Sequence, residues 1–301
     1  MDTRHLETFA AVVDTGSFTK AATVLRCSQP TVTTRIKALE QSVGMALLER
    51  LPNEVKLTAA GCTLLRYARD ILALSDEAQV ALTSDRPVAG RLDIGTVESV
   101  MTYRLLPLVE YMYRRYSNVR ISMHASNCGE TMSQLRDGRL DCVFFVDVVA
   151  RRRDLDVEVL CPEPLVLVGG PDHLLVGRPD VSDDEVRSAT LIRAETGANY
   201  HDQFERLFGA GNPDERARVL DLDSIDMAKR SVAAGLGLAL LPEIAVEEEL
   251  AAGELHRIDW SAPFHVFTQL AWRRGSGSHA TLRALVTAAV QVVNEQSEAQ
   301  A

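Results

Sequence analysis

Along the N-terminal stretch, apolar positions come in short bursts separated by turn signals. Leu6, Phe9, Ala10 and Val13 fall three and four apart, the spacing that lines one face of a helix, and the burst ends near Asp14–Gly16. Ser17 then offers an N-cap for a second short helix with Ala21, Ala22 and Leu25 inward. Ser28 offers another for a third helix reaching Glu40–Ser42, with Pro30 in its first turn, where a missing N–H costs nothing. Brief extended pieces at Leu47–Arg50 and Glu54–Leu57, around Leu51–Pro52–Asn53, predict a hairpin wing.

Thr58 is placed to cap a long helix running to Asp85. Its best seam is Gly61, Leu64, Ala68, Ile71, Ser75, Ala78 and Leu82, alternating steps of three and four as in a helix packed along another helix. Such a rod spans roughly 42 Å at 1.5 Å per residue. So small a head does not cover that stripe, and a partner helix is implied; the competing reading is a helix lying on its own C-terminal region. Arg86–Pro87–Val88–Ala89–Gly90 reads as a hinge.

From Arg91 the rhythm changes to strand, helix, strand. Strands are predicted at 92–95, 119–123, 141–146, 165–168, 190–193, 217–220, 236–241 and 265–271, and helices at 102–116, 130–137, 200–208, 224–234 and 279–294. Gly138 and Gly235 stand where helix C-caps belong. This alternation predicts α/β architecture with mostly parallel sheets, arranged as two lobes.

The third helix carries the candidate chemistry. Val32, Ile36 and Leu39 form one narrow apolar face; Pro30, Thr34 and Lys37 lie opposite, with Thr31 and Thr33 on the flanks. A rim of small hydroxyls plus a lysine can approach a major groove closely, the hydroxyls serving base edges or phosphates and Lys37 a phosphate or guanine. Gln29, in the first turn, can pair with adenine or span a phosphate. The bland alternative is a solvated polar face. The wing and the rod favour DNA, because two linked heads can straddle half-sites one turn apart.

Net charge is −10, which alone argues against nucleic acid. Over residues 1–58, however, seven basic side chains face six acidic ones, so the head is +1 and the remainder −11. Phosphate attraction is local, and an acidic sensor on a weakly basic head is compatible with DNA binding by several heads together. No run approaches the ~18 apolar residues of a membrane span, and the N-terminus lacks a signal-peptide pattern, so a cytoplasmic protein is expected. The five cysteines form no CxxC pair and are odd in number, as expected of free thiols in a reducing compartment. The seven histidines stand in no metal-ligand motif and there is no GxSxG elbow. No catalytic residue, metal or cofactor is predicted, and no enzyme activity.

The segment Ser17–Glu40, SFTKAATVLRCSQPTVTTRIKALE, followed by Val43–Gly44, Leu47–Leu48–Glu49–Arg50 and Leu57–Thr58–Ala60–Gly61, resembles the N-terminal signature of the LysR-type transcriptional regulators. The resemblance implies a multidomain α/β protein. It would hold a winged helix-turn-helix over 1–58, a linker dimerisation helix and hinge over 59–90, and a periplasmic-binding-protein-like effector domain over 91–301. Lobe one of that domain would be 91–161 with 266–301, and lobe two 162–265. It also implies that Gln29, Thr31, Thr33 and Arg35 read bases or phosphates, framed by Ser28 and Pro30, although Arg35 falls at the edge of the reading face. Two departures are visible: Thr34 stands where arginine is frequent, and the wing offers only Arg50 with Lys56 beyond it.

Ligands of open parallel sheets sit beyond strand C-termini, near helix N-termini. That rule selects Thr96, Glu98, Ser99 and Val100, then Ser126, Asn127 and Thr131, then Thr196, Tyr200 and His201; Asp147 ends another strand at the same side. The resemblance points to the same places, Ser99 and Thr131 foremost. Hydroxyls and N–H groups there would welcome a carboxylate, whereas Glu98 and Asp147 leave a neutral or cationic effector open. The function implied is ligand-modulated control of promoter DNA by paired protomers, as a dimer of dimers that recruits RNA polymerase. Two other classes stay open: a small-molecule-binding protein whose head has no DNA role, and an enzyme in the C-terminal lobes.

Overall fold

The computed structural model describes residues 2–51, 54–81, 88–195, 200, 203 and 218–300. The head begins with α1 (Thr3–Thr15), capped by Asp2 and ended by Gly16 in the left-handed region. α2 (Phe18–Val24) is capped by Ser17, and α3 (Gln29–Val43) by Ser28, with Pro30 in its first turn. Leu6, Phe9 and Val12 from α1, Ala21 and Ala22 from α2, and Val32, Ile36 and Leu39 from α3 share one core. Fully burying such a leucine, isoleucine or phenylalanine contributes roughly 1.5–3 kcal/mol, which is how so few residues hold three short helices. The wing is an antiparallel pair, β1 (Leu48–Leu51) and β2 (Glu54–Leu57), with Glu49 opposite Lys56 and Arg50 opposite Val55.

α4 (Ala59–Ala81) starts at Thr58, whose Oγ1 accepts from the Gly61 N–H at 2.9 Å. The seam read from the sequence is used differently from the expectation. Its first half is covered by the chain's own head: Gly61 and Ala68 are buried, and Leu64 and Ile71 pack against the core that α1 shares. A head of three helices thus covers more of the rod than its size suggested. The middle of α4 also rests on lobe one, where Arg69 donates to the Gly138 carbonyl and Arg273 pairs with Asp70 at 3.0 Å. Facing outward, seven residues apart, are Tyr67 and Leu74, 53% and 51% exposed. The side chain of Ala78, and Leu82 altogether, lie outside the described residues.

Beyond the hinge come β3 (Ala89–Thr96), a π-helical turn (Val100–Arg104), α5 (Leu106–Arg115), β4 (Asn118–Ala125), α6 (Cys128–Arg136), β5 (Cys142–Asp147) and β6 (Leu155–Glu163). The second lobe holds β7 (Leu165–Gly169), α7 (Asp183–Ser188), β8 (Leu191–Arg193), β9 (Val219–Asp221), α8 (Ile225–Ala233), β10 (Leu238–Pro242), α9 (Glu247–Ala252) and β11 (His256–Arg257). β12 (Val266–Arg273) then returns to lobe one, and α10 (Ala280–Gln300) closes the chain as described. The sheets run β4-β3-β5-β12-β6 and β11-β7-β10-β8-β9.

Both sheets are mixed rather than mostly parallel. β3 runs parallel to β4 and β5, but the returning β12 is antiparallel to both β5 and β6. In lobe two β10 is parallel to β8 and antiparallel to β7. The two crossing strands, β6 and β12, cause this in lobe one, since one leaves it and the other comes back. β5 is buried along its whole length, the mark of a central strand covered on both faces. The helix predicted over 200–208 lies outside the described residues apart from Tyr200 and Gln203.

Candidate functional site

At the head, α3 sorts its residues by face. Val32, Ile36 and Leu39 are fully buried, while Ser28, Gln29, Pro30, Thr34 and Lys37 are exposed and Thr31 and Thr33 half-buried. Ser28 Oγ accepts from the Thr31 N–H at 3.4 Å and lies 2.8 Å from the Thr31 hydroxyl. Gln29 Nε2 donates to Thr33 Oγ1 at 3.1 Å, and Thr34 Oγ1 donates to the Pro30 carbonyl at 2.9 Å. These hydroxyls therefore bond along the helix itself, and Lys37 is the exposed cation on this face. Arg35 is half-buried and donates to Thr8 Oγ1 at 3.3 Å, so it ties α3 to α1 from the edge of the reading face.

The wing is fastened to this helix by a residue that the sequence reading left without a role. Glu40 Oε1 accepts from the N–H groups of Leu47 and Leu48, at 2.9 and 3.3 Å. The signal was there, since Glu40 is the one acid between Ser17 and Glu40 itself. Gly61 adds a second fastening: a Cβ there would lie 2.1 Å from the Leu47 carbonyl oxygen, so only glycine lets α4 start so close to the wing. Lys56 is exposed on β2, whereas the Arg50 side chain lies outside the described residues.

The second site is the cleft between the lobes. Ser99 is buried just beyond β3, and its N–H and Oγ both donate to the Glu195 carboxylate, at 2.6 and 2.9 Å. Glu195 follows β8 and holds a left-handed backbone, φ 51°, uncommon for a residue with a Cβ. In return Glu98 accepts from the Ile225 N–H at 3.1 Å and from Ser224 Oγ at 3.4 Å, at the start of α8. Each lobe thus sends a carboxylate onto the opposite lobe's helix start, where free N–H groups and the helix dipole favour negative charge. Burial pushes the Glu195 carboxyl up to about 7, against the pull of the Ser99 hydrogen bonds and with the help of Glu98 nearby. Behind the cleft, at the crossing strands, Arg104 clasps Glu163 through two bonds of 3.0 and 2.9 Å, and Thr268 donates to the same carboxylate at 2.6 Å.

A cavity of about 420 Å³ opens between these contacts, lined by Glu98, Ala125, Ser126, Asn127, Glu130, Glu195 and Asp223. Of the residues predicted for the cleft, Glu98, Ser126 and Asn127 line it. Ser99 sits behind Glu195. Val100 is buried in the lobe-one core. Thr131 bonds its hydroxyl to the carbonyls of Asn127 and Cys128 within α6. The Asp147 carboxylate accepts from the Val148 N–H at 2.8 Å and from Arg152 at 2.7 Å. Tyr200 is buried with the lobe-one core, its phenol pushed up by burial and by Glu195. Thr196 and His201 lie outside the described residues. Glu130, Glu195 and Asp223 were missed. Glu195 obeys the same strand-end rule as Thr196, one position earlier.

Comparison with known proteins decides the family. Residues 3–62 match the model of the bacterial regulatory helix-turn-helix protein, lysR family, and residues 85–294 that of the LysR substrate binding domain. The chain belongs to the LysR family. Among its relatives, the HTH-type transcriptional regulator YwqM of Bacillus subtilis is 35% identical, covering 95% of this chain and 97% of that protein. A hydrogen peroxide-inducible genes activator of Dickeya chrysanthemi is 30% identical, covering 83% of this chain and 81% of that one. A full-length OxyR variant from Pseudomonas aeruginosa, 22% identical, superposes with a TM-score of 0.80 over 97% of this chain and 94% of its own. This LysR-family chain is a ligand-responsive, DNA-binding transcriptional regulator, with a helix-turn-helix in α1–α3, a linker in α4 and a two-lobed effector domain. No described helix is long and apolar enough to cross a membrane, and no group of acidic, histidine and cysteine side chains among the described residues could hold a metal.

Proposed function

We propose that the protein lays α3 in the major groove of promoter DNA, working as paired heads whose grip is set by a small effector between the lobes. The observation that carries this is the segregation of α3: its apolar seam is wholly buried while Gln29, Pro30, Thr34 and Lys37 remain outward. Gln29, Thr31, Thr33 and Thr34 serve base edges and phosphates, with Ser28 at the helix start. Lys37 serves a phosphate or guanine, and Arg50 and Lys56 of the wing reach the flanking groove. Arg35 contributes by holding α3 on α1. The domain limits follow: head 1–58, linker and hinge 59–90, effector domain 91–301.

Pairing runs through α4. Tyr67 and Leu74, exposed at heptad spacing, supply the seam that a second copy would cover. Two dimers then associate, act in the cytoplasm, and bias RNA polymerase according to the geometry that the effector selects. Cys142 and Cys161 are unsuited to a thiol-based response of the kind the peroxide-inducible relative suggests, because both are buried and burial pushes their thiols up, away from the reactive thiolate.

A gel shift with the DNA upstream of the protein's own gene tests the proposal. A retarded band is expected, and its affinity should fall with salt. Lys37→Ala should reduce the slope of log affinity against log salt by about 1, one phosphate contact. No shift with any metabolite added would contradict it.

A further inference from the structure

We propose that the inter-lobe cleft takes a small organic cation, an amine or guanidinium compound, in preference to a carboxylate. The inference rests on the reading of that cleft as the effector site and adds the charge of its ligand. Two of the places that would ordinarily attract an anion are already occupied from within: Glu195 fills the Ser99 N–H and hydroxyl, and Glu98 fills the start of α8. Among the described residues, the lining holds the carboxylates of Glu98, Glu130, Glu195 and Asp223, with Ser126 and Asn127 between them and no lysine or arginine.

Glu195 points the same way on separate grounds. It is only 6% exposed, and the Ser99 groups that bond it are neutral. Among the described residues, the charged neighbours that act on it are Glu98 and Glu163, both repulsive, and Glu163 is already committed to Arg104. A buried carboxylate with no countercharge is costly. An ammonium or guanidinium in the cavity would supply that charge, and would bridge two lobes that now meet carboxylate to helix start. A cavity of about 420 Å³ suits a compound the size of an amino acid or short polyamine. A bare metal ion fits poorly, since no described cluster has metal-holding geometry.

The experiment is thermal unfolding of the full chain at pH 7.5 and fixed ionic strength. Putrescine, agmatine, L-lysine and L-arginine are compared with succinate, citrate and benzoate. At least one cation should raise Tm by about 3 °C or more at saturating concentration, and the acids should leave it unmoved. Asp223→Asn should cut the cation's shift by more than half, measured against the variant's own ligand-free Tm. Glu98→Gln serves as the second variant. A rise with acids and not with cations overturns the proposal, and so does no rise with either. If cations raise Tm but no promoter fragment is retarded, the DNA reading fails and the charge assignment stands.

Discussion

Burying a carboxylate without a cation leaves a mark on how stability depends on pH, and Glu195 is the residue to watch. Its carboxyl sits near 7 in the folded chain against an ordinary value of 4.5. Between those two values the folded state keeps a proton that the unfolded chain has released, so raising pH across that window removes stability, and the loss is complete above the folded value. Glu195→Gln carries no such charge. The Tm of the variant relative to wild type should therefore be higher at pH 8 than at pH 5; parallel curves would show that the carboxyl is not held up. The same residue marks a limit of reading from sequence. Val32, Ile36 and Leu39 were legible because period alone puts them on one face, and the structure buries all three. Glu195 matters through a partner 96 positions away, Ser99, which no local pattern encodes. Thr131 and Asp147 do not line the cavity; each has a partner in its own neighbourhood, α6 for one and Arg152 for the other.

Among the elements, α4 carries the most consequence. Its seam was legible as a periodic stripe, but the stripe does not say which neighbour covers it, and the first half proved to belong to the head. Gly61→Ala should force the start of α4 away from the Leu47 carbonyl. A loss of about 1–3 kcal/mol, the usual cost of overpacking, is expected in denaturant unfolding. Farther along, Tyr67, with Arg66 over its ring at 4.9 Å, and Leu74 form the outward pair. Tyr67→Glu combined with Leu74→Glu should shift sedimentation from dimer or larger toward monomer while leaving the helix content unchanged; an unchanged sedimentation coefficient would remove α4 from the interface. β6 escaped the sequence reading because Asp156 and Glu158 alternate with Val157 and Val159, a polar–apolar strand of the kind expected at a sheet edge, where the strand order puts it. α7 was missed although its capping box, Ser182 with Glu185, is a recognisable start signal; six residues were too few for period to emerge.

Across the whole molecule, charge and topology divide the work. The head is +1 and the rest −11, so DNA attraction concentrates where α3 and the wing lie, while the acidic remainder holds the cleft. The linker helix α4 touches the effector domain where Arg69 meets Gly138 and Asp70 meets Arg273, the last residue of the crossing strand β12. A change of lobe angle therefore has a short physical route to the linker. That much could be anticipated only as architecture, because the contacts join residues far apart in the chain. Whether α3 reads duplex DNA in pairs is measured directly by hydroxyl-radical footprinting of the upstream region with purified protein. Protected stretches on one face of the duplex, spaced by about 10 base pairs or a multiple, are predicted, and they should fade in Gln29→Ala with Lys37→Ala. Uniform cleavage along every promoter fragment, with or without a cationic effector, would contradict it.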